Sequence, residues 1–290
     1  MDALLPGTTG VFTSLARLRA TDILETACNA EDSGFDALWV ADVRGDLSFL
    51  SECLRATSHL TVATAVLSIW DLPAAAAAAA IADADADADP GRAILGLGVS
   101  HPGLVRAGTY RTPIRAINEY LDALDDARCP RTQRILGANG PRMLATAAQR
   151  GAGAVTQLVT PDRTRRQREW MGEGSLAAEV KVVLGGDRAH VRRLGRMNLA
   201  HYLELPSYRR NLADQGFTDD DLAHGGSDRL VDALVAGPDD EAIARRVREH
   251  RLAGADHVCI HVLTDTGGAP TEQWRAVGAI LGTNVTEEAR

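Results

Sequence analysis

The stretch that decides the fold runs from Leu60 to His101 and reads "LTVATAVLSIWDLPAAAAAAAIADADADADPGRAILGLGVSH". It opens with an apolar run typical of a buried strand, and a second such run, 92–100, lies near its end. Between them Pro73 suits a helix start, and the seven alanines of 74–80 are the strongest helix formers. Alternating Ala and Asp lack strand propensity, and Pro90-Gly91 ends the helix. The stretch therefore predicts a strand, a helix and a second strand.

The same alternation continues along the whole chain. Helical patterns separate eight predicted strands: 10–15, 36–41, 60–67, 92–100, 132–138, 153–160, 179–185 and 255–263. Because these runs are apolar on both faces, they predict parallel strands covered by helices. Eight such units over 290 residues favour a closed (β/α)8 TIM barrel. An open doubly wound sheet with a helical cap is the alternative.

Two further helical segments extend the barrel pattern. One covers 112–128 after strand four, and a longer one covers 187–235 after strand seven. No linker rich in Pro or Ser flanks either segment, so we expect one domain over residues 1–290.

Composition narrows the class of function. A net charge of −8 argues against nucleic-acid and anionic-membrane partners and favours small-molecule chemistry. The four cysteines show no CxxC spacing, so neither a metal site nor a disulfide framework is expected. The sequence shows no signal-peptide pattern and no apolar run long enough to span a membrane, which predicts a cytoplasmic protein.

Lysine is almost absent from this chain. Lys181 is the only lysine among 31 basic residues, which leaves one candidate for lysine-based chemistry. We expect Lys181 near the beginning of strand seven, at the bottom of the barrel, and assign it no catalytic role.

The end of strand four carries the first candidate site residues. "GLGVSH" has His101 where a dinucleotide-binding fingerprint needs its third glycine, and Pro102 follows, which argues against that fingerprint. Gly96 and Gly98 instead let the strand approach a ligand, with Ser100 and His101 at the barrel mouth, where barrel enzymes carry their chemistry. A surface loop histidine is the alternative for His101.

Two more strand ends carry polar groups. Asp42 follows "LWVA" and would face the mouth as a substrate-orienting or acid/base carboxylate, with a helix N-cap as the alternative. In "LGANGPRML" a strand passes through Asn139 and Gly140 into a helix that starts with Pro141. Free N–H groups at such a helix start can bind an anion.

Several segments together resemble the luciferase-like monooxygenase superfamily, and more narrowly an actinobacterial branch of oxidoreductases that use the deazaflavin coenzyme F420. They occur in the expected order over nearly the whole chain: "FDALWVAD", "TVATAVL", "GRAILGLGVSHPGLV", "GANGPRMLATAAQRGAGAV", "LVTP", "GFTDDDL", "GGSDRLVDALVA" and "GADHVCIHVL".

The resemblance implies a barrel with the coenzyme's ring in the mouth and its phosphate at strand ends and helix N-termini. A non-prolyl cis peptide beneath the ring is implied at Ala65–Val66. The phosphate loop matches Ala138, Asn139 and Gly140, and the loop after strand six matches Thr160. The family commonly forms homodimers.

Departures from the family pattern move the proton-transfer group. Related enzymes carry Asp-His at the end of strand two and a glutamate after strand four, whereas this chain has Asp42-Val43 and His101. We therefore expect His101 to supply the proton while hydride passes between the deazaflavin and a small organic substrate, with Asp42 orienting. The alternatives are an FMN-dependent monooxygenase on the same barrel and a coenzyme-free barrel that acts as a binding protein or a biosynthetic enzyme.

Overall fold

A computed structural model describes residues 9–105 and 110–288, with side chains up to residue 282. The strands are β1 (Thr9–Ser14), β2 (Ala37–Ala41), β3 (Thr61–Thr64), β4 (Leu67–Ser68), β5 (Ala93–Gly98), β6 (Arg134–Gly137), β7 (Gly153–Thr156), β8 (Ser175–Val182), β9 (Val235–Ala236) and β10 (His257–Val262). The helices are α1 (Leu15–Arg19), α2 (Ile23–Asp32), α3 (Ser48–Ala56), α4 (Ala74–Asp87), α5 (Pro113–Asp126), α6 (Pro141–Arg150), α7 (Pro161–Met171), α8 (Arg188–Leu203), α9 (Pro206–Ala213), α10 (Asp228–Leu234), α11 (Asp240–Leu252) and α12 (Thr271–Glu288).

Eight parallel strands close into a ring. Their order is β10, β1, β2, β3, β5, β6, β7 and β8, and pairing of β8 with β10 completes the circle. The two-residue strands β4 and β9 extend the edges of β5 and β8. The closed barrel is confirmed, and each predicted strand overlaps one strand of the ring.

Large apolar side chains fill the inside of the barrel. Phe12, Ile94 and Ile135 form one cluster there with Trp39, whose Nε1 donates to His257 Nε2 at 3.0 Å. A Cβ atom at Gly96 would overlap the carbonyl oxygen of Thr64, so β5 approaches β3 closely only because this residue is glycine. The lower part of the barrel is therefore packed, and only its upper end is available for chemistry.

The alanine tract forms α4, as predicted. Its inner face buries Ala77, Ala78 and Ile81 against the barrel. At its acidic end, Gln133 Nε2 donates to Asp85 at 2.9 Å and Arg55 pairs with Asp87 at 3.1 Å. Neighbouring elements thus hold a helix end whose charges oppose the helix dipole.

The chain between β8 and β9 is helical, as predicted for 187–235. Helices α8, α9 and α10 enclose a second apolar cluster that includes Leu199, Leu212 and Phe217. After β5 a short 3-10 turn, Pro102–Leu104, precedes α5. The helix predicted over 112–128 is thus the barrel's regular helix between β5 and β6 and not an addition to it. Within the described residues, no helix is long and apolar enough to cross a lipid bilayer.

The predicted position of Lys181 is wrong. Strand β8 begins at Ser175, four residues before the predicted start, so Lys181 is its penultimate residue. The early residues were missed because Ala177 and Ala178 have low strand propensity. Both alanines are fully buried, and burial outweighs propensity here. Lys181 therefore lies at the mouth of the barrel and not at its bottom.

Candidate active site

Small residues form the floor of the mouth. Ala41, Ala65 and Val66 belong to the interior cluster at the upper strand ends. The peptide bond between Ala65 and Val66 is cis, as the resemblance implied. A Cβ at Gly98 would lie 2.5 Å from Val66 Cγ2, and one at Gly137 would lie 3.3 Å from Val66 Cγ1. Val66 thus fits between two strands that carry no side chain at these positions.

His101 lies beyond the end of β5 and is half-buried. Its Nδ1 is 2.8 Å from the hydroxyl of Ser207, and its ring centroid is 5.1 Å from that of Tyr208. Burial lowers the pKa of His101, so its imidazole is neutral at neutral pH. The neighbouring Ser100 adopts a left-handed backbone with φ of 54°. The segment that brings Ser207 and Tyr208 to the mouth follows α8.

Asp42 directly follows β2 and is exposed, with φ of 55°. The alternative role as a helix cap is wrong, because the N-cap of α3 is Leu47. The charge of Asp42 acts on the pKa values of His201 and Tyr202, both of which are dominated by burial. Asp42 therefore lies on the side of the mouth that α8 covers.

The predicted phosphate loop follows β6, which is three strands from β2 in the ring. Gly140 is the N-cap of α6 and makes no side-chain cap, and a Cβ there would meet nothing within 4 Å. Ala138 is buried, and the Asn139 side chain accepts a hydrogen bond from the Gln157 backbone N–H at 3.2 Å. Thr160 caps α7, but Gln215 Oε1 accepts from both its N–H, at 2.9 Å, and its hydroxyl, at 3.1 Å.

Residues 163–168 read "RTRRQR", and the first arginine of this run, Arg163, is buried beside the loop. Arg163 Nη2 donates to the backbone oxygen of Asn139 at 3.3 Å, and its guanidinium lies 4.6 Å from the ring centroid of Trp170. Its Nε atom has no hydrogen-bond partner among the described residues. A run of arginines on a helix is typical of an exposed face, so the sequence does not predict Arg163 as a site residue.

A buried charged cluster closes the other side of the mouth. Glu179 Oε1 accepts from Lys181 Nζ at 2.6 Å and from His261 Nδ1 at 2.7 Å. Burial alone would raise the pKa of Glu179, but Lys181 and His261 outweigh burial and lower it. This cluster was not predicted from the sequence. Glu179 and Lys181 are two residues apart in an otherwise apolar strand, and charged residues in that position are a signal that could have revealed it.

Two tyrosines connect the parts of the mouth. The Tyr202 ring lies 5.2 Å from Lys181 Nζ and packs edge-on against Tyr208, with 5.1 Å between centroids. The Tyr208 hydroxyl donates to Gln157 Oε1 at 3.0 Å. His101, the phosphate loop and the charged cluster are thus linked through side chains from α8 and α9.

Solved structures with the same fold include coenzyme-binding enzymes. An F420-dependent secondary alcohol dehydrogenase, solved with an F420-acetone adduct, is 15% identical, with a TM-score of 0.70 over 94% of this chain and 98% of that one. The F420-dependent tetrahydromethanopterin reductase of Methanopyrus kandleri is 16% identical, with a TM-score of 0.66 over 96% and 99%.

A further similar structure contains FMN. The oxygenating part of 3,6-diketocamphane monooxygenase from Pseudomonas putida, a type II Baeyer-Villiger enzyme, is 14% identical, with a TM-score of 0.67 over 94% of this chain and 96% of that one. At these identities the likeness establishes the fold alone.

Comparison by sequence gives the family. Among curated proteins no sequence matches significantly. The family model described as luciferase-like monooxygenase matches residues 3–257, which is most of the chain. This match agrees with the closed parallel barrel, and the chain therefore belongs to the luciferase-like monooxygenase family.

Proposed function

We propose that the protein is a coenzyme F420-dependent oxidoreductase that transfers hydride between the deazaflavin and a small organic substrate. The observation that carries the proposal is a floor of small residues beside an uncapped helix start. Val66 between Gly98 and Gly137 offers an apolar surface to a flat ring. The N-terminus of α6 at Gly140 offers backbone donors to an anion.

The residues around this helix start fit a phosphate-bearing coenzyme. Arg163 is a buried cation with an orphaned Nε beside Asn139. Ala65, Val66, Gly98 and Ser100 would lie along the ring, and Ala138, Asn139, Gly140 and Thr160 would hold the phosphate. When bound, the coenzyme supplies a carbon that accepts or donates hydride.

The protein's own residues have to move the proton that accompanies the hydride. The sequence predicts His101 for this proton, with Asp42 orienting, and His261 is a second imidazole at the mouth that could transfer it. A neutral imidazole can exchange a proton near neutral pH without a large change of pKa.

The preference for F420 over FMN is tested by fluorescence titration of the purified protein with each coenzyme in its oxidised form. It rests on the full-length resemblance and on an arginine-rich chain, which suits the acidic tail of F420. We expect tighter binding of F420. Equal affinity for FMN, or no binding of either, would contradict the proposal.

Two other functions have an observation in their favour. An FMN-dependent monooxygenase is favoured by the FMN-containing structure of similar fold. Turnover with FMN, a flavin reductase and oxygen, but not with F420, would identify it. A coenzyme-free barrel is favoured by Gln215, which uses the donors of Thr160. Absence of binding in both titrations would identify that one.

A further inference from the structure

The cluster of Glu179, Lys181 and His261 belongs neither to the floor of the mouth nor to the phosphate loop of the proposed function. Residues two apart on a strand share a face, so Glu179 and Lys181 point into the barrel with Ala177 of the interior cluster. The register of β8 and β10 sets His261 beside Lys181. Three polar side chains therefore lie together in the upper part of a barrel interior that is mainly apolar.

The hydrogen bonds of Glu179 favour one tautomer of His261. A carboxylate only accepts hydrogen bonds, so the proton of the neutral imidazole is on Nδ1, which contacts Glu179 at 2.7 Å. The second ring nitrogen, Nε2, then carries a lone pair. Burial lowers the pKa of His261, and the positive charge of Lys181 lowers it further. A carboxylate that holds an imidazole in one tautomer is the arrangement by which enzymes orient a base.

The cluster meets solvent through its histidine. The His261 side chain is 11% exposed, whereas those of Lys181 and Glu179 are 2% and 1% exposed. His261 is the penultimate residue of β10, and Phe12 packs on its ring at 4.5 Å between centroids. In the ring of eight strands β10 is four strands from β5 in either direction, so His261 and His101 lie on opposite sides of the mouth.

His101 lacks the feature that orients a base. Its partner, the Ser207 hydroxyl, can donate or accept, so this contact leaves the tautomer of His101 open. The Nδ1 atom of His261 lies 2.7 Å from the Glu179 carboxylate, which only accepts, and 3.4 Å from the Lys181 ammonium, which only donates. The shorter contact favours the Nδ1–H tautomer.

We propose that His261 is the proton-transfer residue of this site, that Glu179 and Lys181 position it, and that the substrate reacts as a hydroxyl or carbonyl compound. The proposal rests on the proposed function. In the oxidation direction His261 Nε2 takes the proton of the substrate hydroxyl. The C–H bond of the carbon that carries this hydroxyl breaks, and its hydrogen leaves with both bonding electrons as hydride to the bound coenzyme. The carbon-oxygen double bond forms, and reduction reverses each step.

Besides Glu179 and Lys181, several titratable or charged groups interact with His261 or with these two partners. They are Cys259 on β10, Arg17 on α1, His201 and Tyr202 on α8, and Tyr208 on α9. Glu179 is the charge nearest to His261, at 2.7 Å from Nδ1, and Lys181 Nζ brings a positive charge to 3.4 Å from the same atom. Lys181→Met should therefore raise the pKa of His261, and Glu179→Gln should release its tautomer.

The first test uses no turnover. Nitrogen-detected NMR of ¹⁵N-histidine protein, without and with saturating oxidised F420, reports the tautomer of each ring. His261→Asn identifies the signals, and the exposed His59 is the internal control. We expect His261 as the neutral Nδ1–H form, with signals that move when the coenzyme binds. An Nε2–H form, or signals unchanged while the coenzyme is bound, would overturn the proposal.

The second test measures hydride transfer from a panel of small primary and secondary alcohols to saturating oxidised F420. His261→Asn keeps a donor toward Glu179 but loses Nε2, so the rate should fall by about 10²-fold or more while coenzyme affinity changes little. In Lys181→Met the acid limb of the pH profile should move to higher pH. Lys181→Arg keeps the positive charge, so its acid limb should lie at the same pH as that of the wild type.

The outcomes separate a positioning role from a structural one. If the cluster only stabilises the fold, Lys181→Met lowers the melting temperature but does not shift the acid limb of the pH profile. Arg131→Met, at an exposed position, is the control and should not shift the acid limb either. A retained rate in His261→Asn, or no oxidation of any alcohol by coenzyme-bound protein, would also overturn the proposal. Failure of the wild type to bind the coenzyme rejects the proposed function itself, and the titration detects that before any variant is compared.

Discussion

His101 and Asn139 are connected by two side chains that come from other elements. The His101 ring contacts Tyr208, the Tyr208 hydroxyl donates to Gln157, and the Gln157 backbone N–H donates to Asn139. This chain of contacts ends at the loop that would hold the coenzyme's phosphate. A residue at its other end can therefore affect coenzyme binding without touching the reacting atoms.

His101→Ala is expected to weaken coenzyme affinity several-fold, because it removes one support of Tyr208. The rate of a single turnover at saturating reduced coenzyme should stay within a few-fold of wild type, since we assign the proton to His261. A fall of about 10²–10³ at saturation would instead make His101 the proton donor. His101→Asn, compared with His261→Asn in the same assay, is the matched control.

Helices α7 and α11 meet through a buried polar contact. His250 is 1% exposed, and its Nδ1 is 2.9 Å from the Thr164 hydroxyl. Burial, and then the charge of Arg246, lower the pKa of His250 to about 3. The folded protein thus keeps this imidazole neutral in a pH range where the unfolded chain protonates it.

The free energy of unfolding should fall as the pH is lowered from about 6.5, the ordinary pKa of histidine. Each pH unit below that value costs about 1.4 kcal/mol for His250 until its folded pKa is reached. The lowered pKa values of His101, His201 and His261 act in the same direction. Urea unfolding between pH 7 and 4 measures the slope.

His250→Asn should flatten this slope by the contribution of one histidine. His224→Asn is the control, because His224 is exposed and asparagine tolerates its positive φ of 51°. Equal slopes in wild type and His250→Asn would contradict the interpretation.

Helices and strands could be predicted from the sequence better than contacts between side chains. Helix α4 and the barrel strands follow from local propensity and from apolar runs, which short segments carry by themselves. The start of β8 could not be predicted in this way, because Ala177 gives a weak strand signal. Lys181 was therefore assigned to the wrong end of the strand. The pairs of Glu179 with His261 and of Thr160 with Gln215 join distant segments, and no local pattern encodes them.

We predict that the whole molecule forms a homodimer whose interface contains α4. The resemblance implies pairing of barrels near strands two and three, and α4 exposes Ala75, Ala76 and Ala79 on its outer face. Small side chains permit close approach of a second backbone. Light scattering at micromolar concentration should give twice the chain mass of 30.8 kDa.

Ala79→Glu should convert the dimer to a monomer by placing a charge in that interface. Ala189→Glu, at an exposed position on α8, should leave the mass unchanged. A monomeric wild type would reject the homodimer, and a dimeric Ala79→Glu would reject α4 as its interface.

The burial of Lys181 has a consequence for how the protein can be chemically modified. Because it is the only lysine and its side chain is 2% exposed, the folded surface between residues 9 and 282 that the structure describes offers no side-chain amine. Acylating reagents, aldehydes and amine-directed conjugating enzymes can reach this amine only when the barrel opens at β8. A lysine-specific protease likewise finds its single cleavage site inside the strand ring, so its action on the chain reports barrel opening.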